Sequence, residues 1–306
     1  MNQSLKDIVR LKEQAVLEAE KLRGCLDDKK RVAFIACSYD TSFESVQKQV
    51  VDKVEQLVKT YGLNGKVRWS LWLVDDLPGV ACFSHAVQDG FNAVSNKLGE
   101  EGRLKLIKMR SEKPMSSGLK GRALLDGMFA ALEDDPGLAA LVYMNLNLKV
   151  DACFSAGGLR KVLCEGFDAA IGTRYPEEGG MAMGRGMAGN MKSRVFNALV
   201  RLLLPPINCY YDTNAPLKIY SPSAAKMLVR FAKIHTVSMD SEWLMLLHLN
   251  GYKVARFPIV WAQRFGSRVP WHMIPSCFMD VLKIRKWWKR GEMNFVKNGG
   301  CRIDVI

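Results

Sequence analysis

The amino-acid sequence predicts an α/β fold built on a mostly parallel sheet flanked by helices, and three observations carry that expectation. The apolar run Val32-Ala33-Phe34-Ile35-Ala36-Cys37 is continuous rather than alternating, as in a strand buried on both faces. Strand and helix patterns alternate at a spacing of roughly 30–40 residues. Polar residues follow the strands directly, where ligands bind in open parallel sheets.

The elements follow in order. Residues 4–24 read as a helix, with Ser4 as cap, Asp7 in the first turn and Gly24 as stop. Leu5, Ile8, Val9, Val16, Ala19 and Leu22 give it an apolar face, which suits an N-terminal arm or an oligomer contact. After the Val32–Cys37 strand, residues 42–61 repeat valines four apart (Val46, Val50, Val54, Val58), the period of an amphipathic helix closed by Gly62. Strands are expected at 67–74, 104–109, 141–144, 168–172 and 252–260. Helices are expected at 80–98, 118–132, near 155–164, and at 190–204, 221–232 and 238–250, the last capped by Ser238. The Gly/Met-rich stretch 179–187 has no periodicity and reads as a loop. We divide the chain into an arm (1–30), one α/β domain (31–265) and a basic extension (266–306).

Composition narrows the function. With 44 basic and 31 acidic residues in 306, the net charge is +13, which favours an anionic partner such as a phosphate-bearing substrate or a membrane surface. No stretch of about 18 uncharged apolar residues occurs, so a spanning helix is not expected. The first residues lack the apolar core of a secretory signal. Eight cysteines are scattered with no Cys-x-x-Cys pair, which suggests neither a zinc site nor a disulfide framework and fits a reduced, cytoplasmic setting. There is no Gly-x-Gly-x-x-Gly, no phosphate-binding Gly-x-x-x-x-Gly-Lys-Ser/Thr, no His-Glu-x-x-His and no Gly-x-Ser-x-Gly, which removes the main support for dinucleotide oxidoreductase, P-loop, metalloprotease and α/β-hydrolase readings. No RNA-binding motif accompanies the charge, so no nucleic-acid partner is expected.

The informative residues stand at the strand ends: Ser38, Tyr39 and Asp40; Asp75 and Asp76; Asn145 and Asn147; Thr173, Arg174 and Tyr175. Asp75 and Asp76 can accept hydrogen bonds from a base or ribose, though a solvated turn has the same composition. Lys120 and Gly121 open a helix, where a cation and free N–H groups suit a diphosphate. Arg174 offers a planar charge matched to phosphate, or to a structural ion pair.

These residues fall in an ordered series that resembles glycosyltransferase family 2, of the GT-A (Rossmann-like) fold, and within it the polyprenyl-phosphate sugar transferases. The likeness runs over about residues 31–268. Phe34-Ile35-Ala36-Cys37-Ser38-Tyr39-Asp40 is similar to the family's first strand and its Tyr-Asn-Glu turn, and Leu73-Val74-Asp75-Asp76 to its Val-Asp-Asp. Lys120-Gly121-Arg122-Ala123 is similar to Gly-Lys-Gly-x-Ala, and Ile171-Gly172-Thr173-Arg174-Tyr175 to Ile-Gly-Ser-Arg-Tyr. Asp212-Thr213-Asn214-Ala215-Pro216-Leu217-Lys218 is similar to Asp-Thr-Gln-x-Gly-Phe-Lys, and Asp240-Ser241-Glu242-Trp243-Leu244 to Asp-x-Glu-Leu. The resemblance implies sugar transfer with inversion from a UDP- or GDP-type donor, bound by Ser38, Tyr39, Asp40, Asp75, Asp76, Lys120, Gly121, Asn145, Asn147 and Arg174. It implies Asp240 as the acid that takes the acceptor proton, with Glu242 and Asp212 as the other candidates. Asp240 and Glu242 are two residues apart and cannot share a helix face.

One departure stands out. The family's metal-binding Asp-x-Asp is here Asn145-Leu146-Asn147, and an amide oxygen brings no charge to a divalent ion. Three explanations compete: a metal-free site built on Lys120, Arg174 or Arg185; Mg2+ or Mn2+ held weakly through Asp75, Asp76 or Asp151; or a non-catalytic relative that binds a nucleotide or a partner. Arg256, where the family has an acid, adds positive charge. The acceptor is open between a soluble intermediate and a lipid phosphate. The run Lys283-Ile284-Arg285-Lys286-Trp287-Trp288-Lys289-Arg290 reads either as a peripheral membrane contact or as a basic tail packed on the domain.

Overall fold

The computed structural model describes residues 3–38, 43–75, 104–108, 120–147, 149–184, 187–236, 238–262 and 274–295. Tyr39, Asp40, Asp76, Arg185 and the helix expected at 80–98 lie outside the described residues.

Helix α1 (Gln3–Cys25) leads into β1 (Lys30–Ser38), α2 (Phe43–Tyr61), β2 (Val67–Asp75) and β3 (Leu104–Lys108). Then come α3 (Lys120–Asp134), β4 (Leu138–Asn145), α4 (Ser155–Cys164) and β5 (Ala169–Thr173). The second half holds β6 (Met181–Met183), α5 (Met187–Leu203), β7 (Leu217–Tyr220), α6 (Pro222–Phe231), α7 (Met239–Leu249), β8 (Val254–Pro258), β9 (Val260–Ala262) and α8 (Ile274–Lys289). Seven strands form one sheet in the order β3-β2-β1-β4-β7-β5-β8. Every pairing is parallel except those of β7, which runs antiparallel to both β4 and β5.

Strand alternation divides the core into two layers. Val32, Phe34 and Ala36 of β1 pack toward α1, α2 and α4, with Leu71 and Leu73 beside them. Ala33, Ile35 and Cys37 pack the other way, toward α3, α6 and α7. Both faces are covered, which is why β1 needed an unbroken apolar run. Gly127 of α3 lets that helix come close: a Cβ there would meet Ile35 at 2.6 Å and Val74 at 2.7 Å.

Several expectations change. The N-terminal helix packs on the sheet, with Ala15, Ala19 and Leu22 buried in the first core layer. Its Glu18 pairs with Arg160 of α4 at 2.5 Å. The segment read as a loop contains β6, which pairs with β9 in a small parallel ribbon. The strand expected at 252–260 divides into β8 and β9, and β7 was not foreseen at all. The basic extension contains α8, whose Val281 and Ile284 join the second layer. Ser221 caps α6 by accepting from Ala224 N–H at 3.2 Å, whereas Ser238, expected to cap α7, makes no such bond.

The cysteine expectation is corrected too. Cys25 and Cys164 form a disulfide across 139 residues, joining the ends of α1 and α4 at a Cα separation of 6.3 Å. Sequence spacing hides it, since only the fold brings those helix ends together. Cross-links of this kind typically stabilise by about 2–4 kcal/mol. Cys25→Ser is therefore expected to lower the denaturant midpoint, and dithiothreitol to lower the wild-type midpoint to the same value. A wild-type midpoint that ignores reductant speaks against the cross-link.

Candidate functional site

The strand ends gather at one edge of the sheet. Ser38 of β1 is in register with Asp75 of β2, and Asn145 of β4 with Cys37. β5 delivers Thr173 and then Arg174 to the same edge. Because β7 runs the other way, its start lies here, with Leu217 opposite Met144 and Lys218 between Tyr143 and Ile171.

Two buried ion pairs sit beneath this edge. Arg174 grips Asp212 through Nε at 2.7 Å and Nη2 at 2.6 Å, and its backbone N–H donates to the same carboxylate at 3.0 Å. Nη2 also donates to the Asn214 carbonyl at 3.1 Å. Burial opposes the Arg174 charge, but Asp212 outweighs it and raises the guanidinium's pKa further. Asn197 of α5 fixes the next residue, accepting from Thr213 N–H at 3.1 Å and Thr213 Oγ1 at 2.6 Å. In the second pair Lys218 Nζ donates to Asp240 Oδ1 at 2.7 Å and to the Ala215 carbonyl at 2.5 Å. Burial lowers the Lys218 pKa, with Asp240 pulling the other way. Among the described residues, Asp240 Oδ2 accepts no hydrogen bond.

Tyr143 joins these groups. Its ring centroid lies 4.9 Å from Lys120 Nζ and 5.3 Å from Lys218 Nζ. Burial first, and the Asp240 charge next, push its hydroxyl well above the ordinary tyrosine range, so it stays a neutral hydrogen-bond donor. That hydroxyl points to Asn145 Oδ1 at 3.5 Å.

Gly121 has a spatial reason to be glycine. Its N–H donates to the His235 carbonyl at 2.8 Å, and a Cβ would lie 2.9 Å from that residue's backbone. The loop carrying His235 is held in turn by Glu242, whose two oxygens accept from Lys233 N–H at 2.9 Å and Ile234 N–H at 2.8 Å. Glu242 thus acts on Lys120 and Gly121 at one remove. Burial pushes its carboxyl up to about 7, the two backbone N–H groups working against that rise.

Among the described residues, the carboxylates and amides near this edge suit a divalent ion poorly. Asn147 Oδ1 faces Lys149 N–H at 3.4 Å. Asp212 and Asp240 are matched by fixed cations. Asp151 caps a short turn by accepting from Cys153 N–H at 3.1 Å and meets Lys12 of α1 at 3.4 Å. Among the described residues, no three His, Cys, Asp or Glu side chains converge on a point. Arg256 is neutralised by Glu178 at 2.6 Å.

Three participants were missed in the sequence. Lys218 stands in an apolar strand, Leu217-Lys218-Ile219-Tyr220, and its place at the end of the matched Asp212–Lys218 stretch was the available signal, from which no role was read. Asn197 and Tyr143 gave no signal, being a helical amide and a strand aromatic of ordinary kind. Trp261 adds a ring, 5.9 Å from the Arg174 guanidinium and 5.5 Å from Lys149 Nζ.

No protein-family model matches the chain. Over 170 residues it is 26% identical to the glycosyltransferase AglD of Haloferax volcanii, covering 54% of this chain and 25% of that protein. The chain thus spans about a quarter of the length of that relative. Among solved structures it is similar to glucosyl-3-phosphoglycerate synthase of Mycobacterium tuberculosis. In complex with Mn2+, UDP and glucosyl-3-phosphoglycerate, that enzyme superposes with a TM-score of 0.56 at 15% identity, over 91% of this chain and 84% of the other. Its complex with Mn2+, UDP-glucose and glycerol 3-phosphate gives 0.58 at 13% identity, over 90% and 84%. These matches establish the GT-A fold.

Two outcomes are expected. Glu242 keeps its proton to about pH 7 when folded, against 4.5 for a free glutamate, so stability falls as pH rises between those values and is level above. The loss is on the order of 3 kcal/mol, and Glu242→Gln should abolish that slope in denaturant melts. Lys218→Met leaves Asp240 buried and unpaired and should cost about 3–5 kcal/mol. Adding Asp240→Asn should recover much of it, and a double mutant no better than the single would contradict the pairing.

Proposed function

We propose that this chain is a glycosyltransferase that moves a sugar, with inversion, from a nucleoside-diphosphate sugar of the UDP type. The observation that carries the reading is the convergence of Lys120, Lys218, Arg174, Asp212 and Asp240 around Tyr143 at the carboxyl edge of a GT-A sheet. The likeness to UDP- and UDP-glucose-bound enzymes supports the donor class.

Lys120 opens a 15-residue helix, where its charge adds to the positive end of the helix dipole and suits the diphosphate. With Asn145 and Asn147 neutral, such fixed cations stabilise the departing diphosphate in place of a carboxylate-bound metal. Ser38 and Asp75 take the nucleoside side of the edge, with Tyr39, Asp40 and Asp76 beyond the described residues.

Lys218 donates to Asp240 Oδ1 and leaves Oδ2 to accept a proton. The acceptor hydroxyl attacks the anomeric carbon and its proton passes to Oδ2. The bond from that carbon to the phosphate oxygen breaks, its electron pair leaving with the diphosphate. Asp212 holds Arg174, and Glu242 holds the loop at Gly121. They are positioning residues in this scheme. A second reading, a non-catalytic nucleotide-binding relative, draws on the two amides Asn145 and Asn147.

Calorimetry with UDP, GDP and their sugar conjugates, with Mn2+ or Mg2+ and then with EDTA, tests the donor site. UDP binding that survives EDTA and weakens at least about tenfold in Lys120→Ala is expected, which corresponds to about 1.4 kcal/mol. No binding of any nucleotide overturns the proposal. Slow hydrolysis of the bound donor, with water as acceptor, separates the two readings. The double variant Lys218→Met/Asp240→Asn, which leaves no unpaired buried charge, should bind the nucleotide yet lose hydrolysis, whereas a non-catalytic relative shows none to lose.

A further inference from the structure

Helix α5 is inverted relative to an ordinary surface helix. Its buried side carries Asn197 and Val200, with Asn197 bonded to Thr213 beside the Arg174–Asp212 pair. Its outer side carries Met191, Val195, Leu199 and Leu202, which are 40–72% exposed. Their spacing puts them within one stripe about 100° wide, opposite Asn197 and Val200. Arg194, paired with Glu177 at 3.2 Å, borders the stripe on one side, and Arg201, over the Tyr211 ring, follows about two helical turns later.

Helix α8 packs beside α5, and its Arg285 donates to the Leu203 carbonyl at the end of α5. α8 adds exposed Phe278 and Met279. The sequences of the two helices hold seven basic residues and one acid, Asp280. Trp287 and Trp288, which the sequence suggested as a membrane contact, are instead half-buried against the second core layer.

We propose that the outer face of α5, with the adjoining basic face of α8, binds an anionic lipid bilayer. An apolar stripe edged by cations matches the boundary between acyl chains and acidic headgroups. Charge decides against a second copy of this chain as the occupant. A two-fold contact would bring this cationic face against itself. Among the described residues no helix is long and apolar enough to cross a membrane; the contact proposed is one of lying on the surface. Through Asn197, the bilayer would then lie one helix diameter from Asp212.

Co-sedimentation of the full chain with vesicles tests this. The chain should bind phosphatidylcholine vesicles containing roughly one-third phosphatidylglycerol at least about tenfold more tightly than phosphatidylcholine alone, with the difference shrinking at high salt. Val195→Asp with Leu202→Asp replaces exposed residues only, and should abolish binding while leaving the circular dichroism spectrum and UDP calorimetry as in wild type. Lys286→Glu with Lys289→Glu should weaken binding to the acidic vesicles alone. No vesicle binding, or binding indifferent to both double variants, overturns the proposal. So does a dimer in light scattering that Val195→Asp/Leu202→Asp dissolves, because the face then belongs to a second copy. UDP binding is read separately, so either proposal can fail without the other.

Discussion

A lysine ammonium in the middle of a sheet cannot be left alone, and much of the site follows from how this protein satisfies Lys218. Removing an ion from water costs several kcal/mol unless a counter-charge and hydrogen bonds replace the water. Asp240 and the Ala215 carbonyl do so, which fixes α7 over the sheet and fixes the turn that starts β7. The Arg174–Asp212 pair repeats the device one strand away and anchors the other end of the same 212–218 segment. The antiparallel strand is what makes this geometry available. A parallel strand at that place would put its first residues at the far edge of the sheet.

Around this centre, hydrogen bonds to backbone carry position from one element to the next. Glu242 has no partner cation at bonding distance among the described residues and spends both oxygens on the amides of Lys233 and Ile234. The loop so held offers the His235 carbonyl to Gly121, and the start of α3 is set. Thr236, on the same loop, donates to Asp280 of α8 at 2.8 Å. Helices α3, α7 and α8 therefore meet in one short loop, and Lys120 takes its place over Tyr143 as a consequence. The carboxylates expected to do chemistry divide by environment. Two hold other groups in place, and Asp240 alone keeps an oxygen without a bonded partner among the described residues.

The same economy of elements places two surfaces on α5. Its amide side completes the Asp212–Thr213 segment, and its apolar side is turned outward. Neither the disulfide nor the ion pairs of α1 reach this region; they bind the opposite layer, closing α1 on α4.

The sequence by itself determined the layered sheet, because a strand covered on both faces must be apolar throughout and Val32–Cys37 could be nothing else. It also marked the polar strand ends, since Asn145 and Thr173 close their strands and Arg174 follows directly. It located Asp212, Asp240 and Glu242 but could not divide their roles, because each role depends on a partner far along the chain: Arg174, Lys218 and the amides at 233–234. β7 escaped notice because four residues with one lysine lack a readable period, and β6 because three residues lack one altogether. Only the tertiary structure decided the disulfide, the core position of α1 and the burial of Trp287 and Trp288. Each depends on distances in space between segments whose separation in sequence says nothing of them.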